Sequence, residues 1–248
     1  MPVIFLSPST QDYNLYITGN QTEESSMNLL TDALIPYLDA NAIAYERNDP
    51  DGTASDAIRL GNAGEYNFYI ALHSNASPPE SSGDNRGIIA FYYPGSPDGQ
   101  RGAELIAEEL REIYPLPQLV SARPITTLGE VRRPRAPAVL VEIGYHDNYQ
   151  DAIWINNNRP EIAEAIAKAL TRYFNLPFIY PFRNPAPGKI QVNYGTLNLR
   201  SRPESDAPII ANMPNHDNLI IFGEYQGWYS VRWRDYLGYA AAAYINII

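Results

Sequence analysis

Three side chains stand where chemistry is commonly done. His73 closes the apolar run Phe68-Tyr69-Ile70-Ala71-Leu72, and Glu142 closes Ala138-Val139-Leu140-Val141. Side chains alternate along a strand, so His73 shares a face with Tyr69 and Ala71. An imidazole there is either a metal donor and proton carrier or simply a polar tip. A carboxylate ending so apolar a strand must meet water, a cation or a proton donor. In open α/β sheets such strand ends line the ligand crevice, although a structural ion pair would satisfy the same need. Glu24 begins a segment of helical spacing, where a carboxylate complements the helix dipole, as Glu23 could equally. The chain has no cysteine. Thiolate metal sites, disulfides and a cysteine nucleophile are therefore excluded, and no Gly-x-Ser-x-Gly elbow supports a serine hydrolase.

Elements that alternate between strand and helix must position these groups. Pro2 to Leu6 is a short apolar strand. Residues 24–40 carry Met27, Leu30, Leu34 and Leu38 at helical spacing, with Pro36 near the end. Ile43 to Glu46 reads as a strand, Ala54 to Asn62 as a helix, Phe68 to Leu72 as a strand. Gly87 to Tyr93 is a further strand, Gly102 to Ile113 a helix, Pro137 to Val141 a buried strand and Pro160 to Phe174 a helix. The alternation predicts an α/β domain, a mixed sheet flanked by helices, over residues 1–176. Residues 177–187 hold four prolines and read as a proline-stiffened linker. From residue 188 onward, short alternating runs separated by turn residues predict a small all-β barrel.

Charge narrows the partners. The net charge is −10. Residues 188–248 are balanced, with five Lys/Arg against five Asp/Glu, so the whole surplus sits in the first 187 residues. Such a domain repels phosphate backbones, which argues against nucleic acid. No apolar run is long enough to insert in a membrane. The N-terminus has neither a basic n-region nor a small-residue cleavage site, so no secretory signal is expected.

Taken together, three phrases resemble the zinc-dependent N-acetylmuramoyl-L-alanine amidases: Glu24-Ser25-Ser26-Met27-Asn28-Leu29, Ala71-Leu72-His73-Ser74-Asn75-Ala76, and Pro137-Ala138-Val139-Leu140-Val141-Glu142-Ile143-Gly144-Tyr145. The strand from Gly87 and the helix around Ile162 also resemble that family, so the likeness covers about residues 2–176. It implies a peptidoglycan hydrolase that cuts the amide between N-acetylmuramic acid and the first L-alanine. It further implies a Zn2+ cofactor, Glu24 and His73 as ligands, and Glu142 as the catalytic carboxylate. The family's first ligand is a histidine just after the first strand; here the chain reads Leu6-Ser7-Pro8-Ser9-Thr10-Gln11. The Gln11 amide oxygen is the candidate third ligand. A two-ligand site completed by water and a metal-free, wall-binding protein are the alternatives.

Two histidines remain. His146 is a surface-loop residue or a substrate contact, and His216 belongs to a turn. Glu130, Arg132 and Arg133 precede the Glu142 strand, either as partners for an acidic glycopeptide or as a salt-bridged loop. Leu197-Asn198-Leu199-Arg200-Ser201-Arg202-Pro203 and Gly227-Trp228-Tyr229-Ser230-Val231 resemble bacterial SH3-like wall modules. That resemblance implies a cell-wall-binding domain over 188–248, with peptidoglycan as the partner of both halves. A wall hydrolase without a signal fits cytoplasmic synthesis and release by lysis, as in a phage endolysin passing through a holin or a sporulation enzyme.

Overall fold

The computed structural model describes residues 1–19 and 21–248. Its chain runs β1 (Val3–Pro8), α1 (Glu23–Ala40), β2 (Ala44–Arg47), α2 (Ala54–Gly61), β3 (Phe68–Asn75), β4 (Ile88–Tyr92), α3 (Pro97–Arg111), β5 (Val120–Pro124), α4 (Gly129–Arg132), β6 (Ala138–Tyr145), α5 (Tyr149–Asn157) and α6 (Arg159–Phe174). Seven strands follow: β7 (Ala186–Ile190), β8 (Thr196–Arg200), β9 (Ile209–Pro214), β10 (Asn218–Tyr225), β11 (Trp228–Trp233), β12 (Tyr236–Ala241) and β13 (Ile245–Ile247).

The first six strands make one sheet in the order β2-β1-β3-β6-β4-β5. β1, β3 and β6 run parallel, β4 runs against β6, and β5 runs parallel to β4. The sheet is thus mixed, as the sequence predicts. One of its faces carries Phe5, Tyr69, Ala71, Ala138 and Leu140 packed with Ala57 of α2 and Val131 of α4. Because side chains alternate, the next positions on that face are Ser7, His73 and Glu142. The face is therefore apolar along its length and polar where the three parallel strands end.

The chain divides into two compact units. One comprises Val3–Leu34 and Tyr45–Tyr173; the other comprises Met1–Pro2, Ile35–Ala44 and Phe174–Ile248. The second unit holds the seven-stranded sheet, ordered β13-β7-β10-β11-β12-β8-β9. All of its registered strand pairs are antiparallel.

The segment 177–187 is not a free linker. Ile179 is buried with Ala40, Ala42, Phe222, Leu237 and Tyr239, and the Phe182 N–H donates to the Phe222 carbonyl. Asn41 completes the anchorage: its Oδ1 accepts from the Ile179 N–H at 2.7 Å and its Nδ2 donates to the Ile179 carbonyl at 3.0 Å. The prolines exclude helix there, but the apolar residues between them have a core to enter.

Candidate active site

His73 and Glu142 are register partners on the adjacent parallel strands β3 and β6. β3 continues past the expected end at Leu72 to Asn75, and β6 continues past Val141 to Tyr145. Both functional side chains therefore sit on fixed strand backbone rather than in loops.

The carboxylate that meets His73 comes from Glu23. Its Oε1 lies 2.8 Å from His73 Nδ1, and the residue is buried at the start of α1. This corrects the expectation for Glu24, whose Oε1 instead accepts from Asn28 Nδ2 at 2.6 Å. Helical period explains the difference. Glu23 precedes the buried Met27 and Leu30 by four and seven residues and shares their inward stripe. Glu24 is turned about 100° away.

Gln11, in the loop after β1, does join the cluster. Its Nε2 is 3.4 Å from both His73 Nδ1 and Glu23 Oε1, while its amide oxygen accepts from Tyr13 Oη and Asn14 Nδ2. The Glu24 N–H donates to the Gln11 carbonyl at 3.3 Å, tying this loop to the helix start.

A fourth acid, which the sequence left as a glycopeptide partner or part of a salt-bridged loop, joins the cluster. Glu130 of α4 is buried, and its Oε2 lies 3.0 Å from His73 Nε2. Its Oε1 accepts from Ser7 Oγ at 2.6 Å and Tyr69 Oη at 2.8 Å. The only sequence signal was its place between Leu128 and Val131, apolar neighbours that pack with the sheet-face cluster and draw the short helix onto it.

One imidazole thus stands among three carboxylates. Burial would depress His73, but hydrogen bonds to Glu130 and Glu23, with the charges of Glu130 and Glu142, raise its pKa to about 10. Burial opposes ionisation of Glu23 and Glu130 too, yet contact with His73 holds both below the usual carboxylate range. Glu142 has no such partner. Burial lifts it to about 7, against the pull of His73 and aided by repulsion from Glu23 and Glu130. Its Oε2 is shut from solvent with no hydrogen bond.

These facts test the fit of a cation. Nδ1 and a carboxylate oxygen 2.8 Å apart need a proton or a cation between them. Among the described residues, no group of three His, Cys, Asp or Glu side chains is arranged to hold a metal. At the Nδ1 edge the donors are His73 and Glu23, and the third group in reach is the Gln11 amide. Imidazole, carboxylate and amide oxygen suit a borderline divalent ion such as zinc. Ligation by Gln11 needs its amide turned so that oxygen faces the pair.

An open cleft of about 490 Å³ lies over the cluster, bounded by Gln11, Tyr13, His73, Glu142, Arg133 and the chain around Gly52 to Ser55. His146 lies outside this lining and is buried rather than in an exposed loop. Its Nδ1 faces the Ser74 carbonyl at 3.0 Å, and its ring stacks on Tyr16. It therefore braces the loop after β1, since its carbonyl accepts from the Ile17 N–H. His216 occupies a turn with positive φ in the all-β unit.

The N-acetylmuramoyl-L-alanine amidase family profile matches residues 11–172. The chain belongs to that family. A bacterial SH3 domain profile matches residues 195–246. Solved structures agree at the level of fold. The CwlD amidase of Clostridioides difficile, solved with the GerS lipoprotein, superposes with a TM-score of 0.62 at 16% identity, covering 71% of this chain and 99% of that one. The catalytic domain of CwlV, an N-acetylmuramoyl-L-alanine amidase from Bacillus (Paenibacillus) polymyxa var. colistinus, gives 0.61 at 18%, covering 71% and 99%. The catalytic domain of an endolysin targeting Clostridia difficile gives 0.56 at 20%, covering 68% and 96%. No curated protein matches the chain. This amidase joins its catalytic fold to a module of a kind that implies peptidoglycan binding.

Proposed function

We propose that the amidase works with a zinc ion held by His73 Nδ1, Glu23 and the Gln11 amide oxygen, and that Glu142 moves the protons of the reaction. Bound there, zinc would polarise the substrate carbonyl and lower the pKa of a water. The remaining tasks belong to the protein. Glu130 accepts the Nε2 proton of His73, which fixes the tautomer that leaves the Nδ1 lone pair free. Ser7 and Tyr69 hold Glu130 in place. Glu142, with a pKa near 7, is poised to take a proton from the attacking water and return it to the alanine nitrogen. That return matters because an amide nitrogen leaves poorly without a proton. The all-β module would keep an acidic enzyme on an anionic wall that repels it at long range.

The observation that carries this reading is the register pairing of His73 with Glu142 beside Glu23. Its test is digestion of purified peptidoglycan, before and after chelation and zinc restoration. New L-alanine amino termini, lost on chelation and regained with zinc, are expected. Cleavage that survives complete removal of metal would contradict it.

A further inference from the structure

The all-β unit holds a groove of about 540 Å³, a volume that suits a small ligand. Three aromatic rings border it: Tyr194, Trp228 and Tyr244. Trp228 also packs against the cluster of Ile179 and Phe222. The tyrosines have no such task. Tyr194 is 94% exposed and Tyr244 49% exposed, so the core does not account for either ring.

The rings are carried on fastened backbone. Asn215 grips Val192 on both sides: its Oδ1 accepts from the Val192 N–H at 3.0 Å, and its Nδ2 donates to the Val192 carbonyl at 2.9 Å. The Gln191 N–H donates to the Tyr244 carbonyl at 2.9 Å. The turn that carries Tyr194 is thereby tied to the segment that carries Tyr244. Little ordering is left for a ligand to impose.

Among the described residues that line the groove, Arg200 alone is charged. It is half-buried, and its Nη1 donates to the Ala207 carbonyl at 2.6 Å. A ligand with several charges would lose water there and find few partners. Asn193 and Asn198 bring neutral amides, each able to donate and to accept. Flat apolar rings beside neutral amides suit a pyranose, whose C–H faces are apolar and whose rim carries hydroxyls. An N-acetyl substituent adds one donor and one acceptor, which an asparagine amide matches.

Building on the wall-binding reading of this module, and independently of the metal site, we infer that the groove between Tyr194, Trp228 and Tyr244 binds the N-acetylated sugars of a glycan strand rather than a stem peptide.

The test uses the full chain stripped of metal, so that nothing is cleaved. Calorimetric titration is made with chitin oligosaccharide, which carries N-acetylated sugar without peptide, and with free stem peptide, which carries no sugar. Co-sedimentation with intact peptidoglycan is measured beside them. The saccharide is expected to bind the wild type and the stem peptide is not. Tyr194→Ala should weaken saccharide binding about three- to tenfold, the worth of one stacked ring, while Tyr194→Phe stays within about twofold of wild type. Failure of the wild type to bind the saccharide while it still binds peptidoglycan overturns the inference and leaves the wall-binding reading intact. So does saccharide binding that Tyr194→Ala leaves unchanged, or stem-peptide binding that Tyr194→Ala weakens. Failure to bind peptidoglycan overturns the wall-binding reading, and the inference with it.

Discussion

At the residue scale, His73, Glu23, Glu130 and Glu142 share the charge of the site among them. Glu142 differs from the other acids because nothing donates to its Oε2. Replacing Glu142 with Gln should lower kcat by about 10²- to 10⁴-fold, the usual weight of a general acid–base, with little change in wall binding. The metal-stripped protein offers a second reading of the same residue. The pKa of Glu142 in the folded chain is raised from its usual 4.5 to about 7. Stability from this group is therefore fully present below about pH 4.5 and lost as pH rises through 7. Thermal melts of chelated wild type should decline across that window, by about 3 kcal/mol at most, and melts of Glu142→Gln should lack that component. Glu130 acts through His73 instead. Glu130→Gln should weaken zinc binding about 10- to 100-fold in chelator competition, and Glu130→Ala should also free Ser7 and Tyr69 and lower the melting temperature.

At the element scale, the strands were legible because their apolar runs are strong, and both site residues on strands were found from their positions at the ends of those runs. The helix start was harder. Family likeness pointed to Glu24, whereas the stripe formed by Met27, Leu30 and Leu34 already pointed to Glu23. Periodicity was the better guide because side-chain direction in a helix turns by about 100° per residue. Glu130 was out of reach, since α4 spans only four residues and its position depends on tertiary packing. β5 and α5 were missed as well. Val120–Pro124 is short with a mixed burial pattern, and the start of α5 is fixed by Asn148, whose side chain accepts from the Gln150 and Asp151 N–H groups. Asp151 then ties β4 to β6: it accepts from the Gly87 and Tyr145 N–H groups, Arg86 Nε and Tyr114 Oη. Gly87 itself has φ +117, and a Cβ there would meet the Leu119 carbonyl at 2.4 Å. Gly87→Ala should cost on the order of 2–4 kcal/mol in a denaturant titration.

At the scale of the whole molecule, the division between an α/β half and an all-β half was legible from the change in periodicity, but its seam was not. Proline content suggested a linker, whereas the end of α1 and the segment around Ile179 belong to the compact unit of the all-β sheet. Tyr239 Oη donates to the Asn41 carbonyl, and Arg232 pairs with Asp39 at 2.6 Å. A fragment cut at residue 177 would expose Ile179, Phe222 and Leu237, which Ala40 and Ala42 help cover. It should therefore unfold at lower denaturant than the same sheet in the full chain. A metal site formed from Glu23, His73 and Gln11 is tested by zinc titration of the full chain as wild type, Glu23→Gln and Glu24→Gln. One zinc per chain in the wild type and in Glu24→Gln, with uptake abolished or weakened at least tenfold in Glu23→Gln, is the predicted result. Tight uptake by Glu23→Gln together with loss in Glu24→Gln would contradict it.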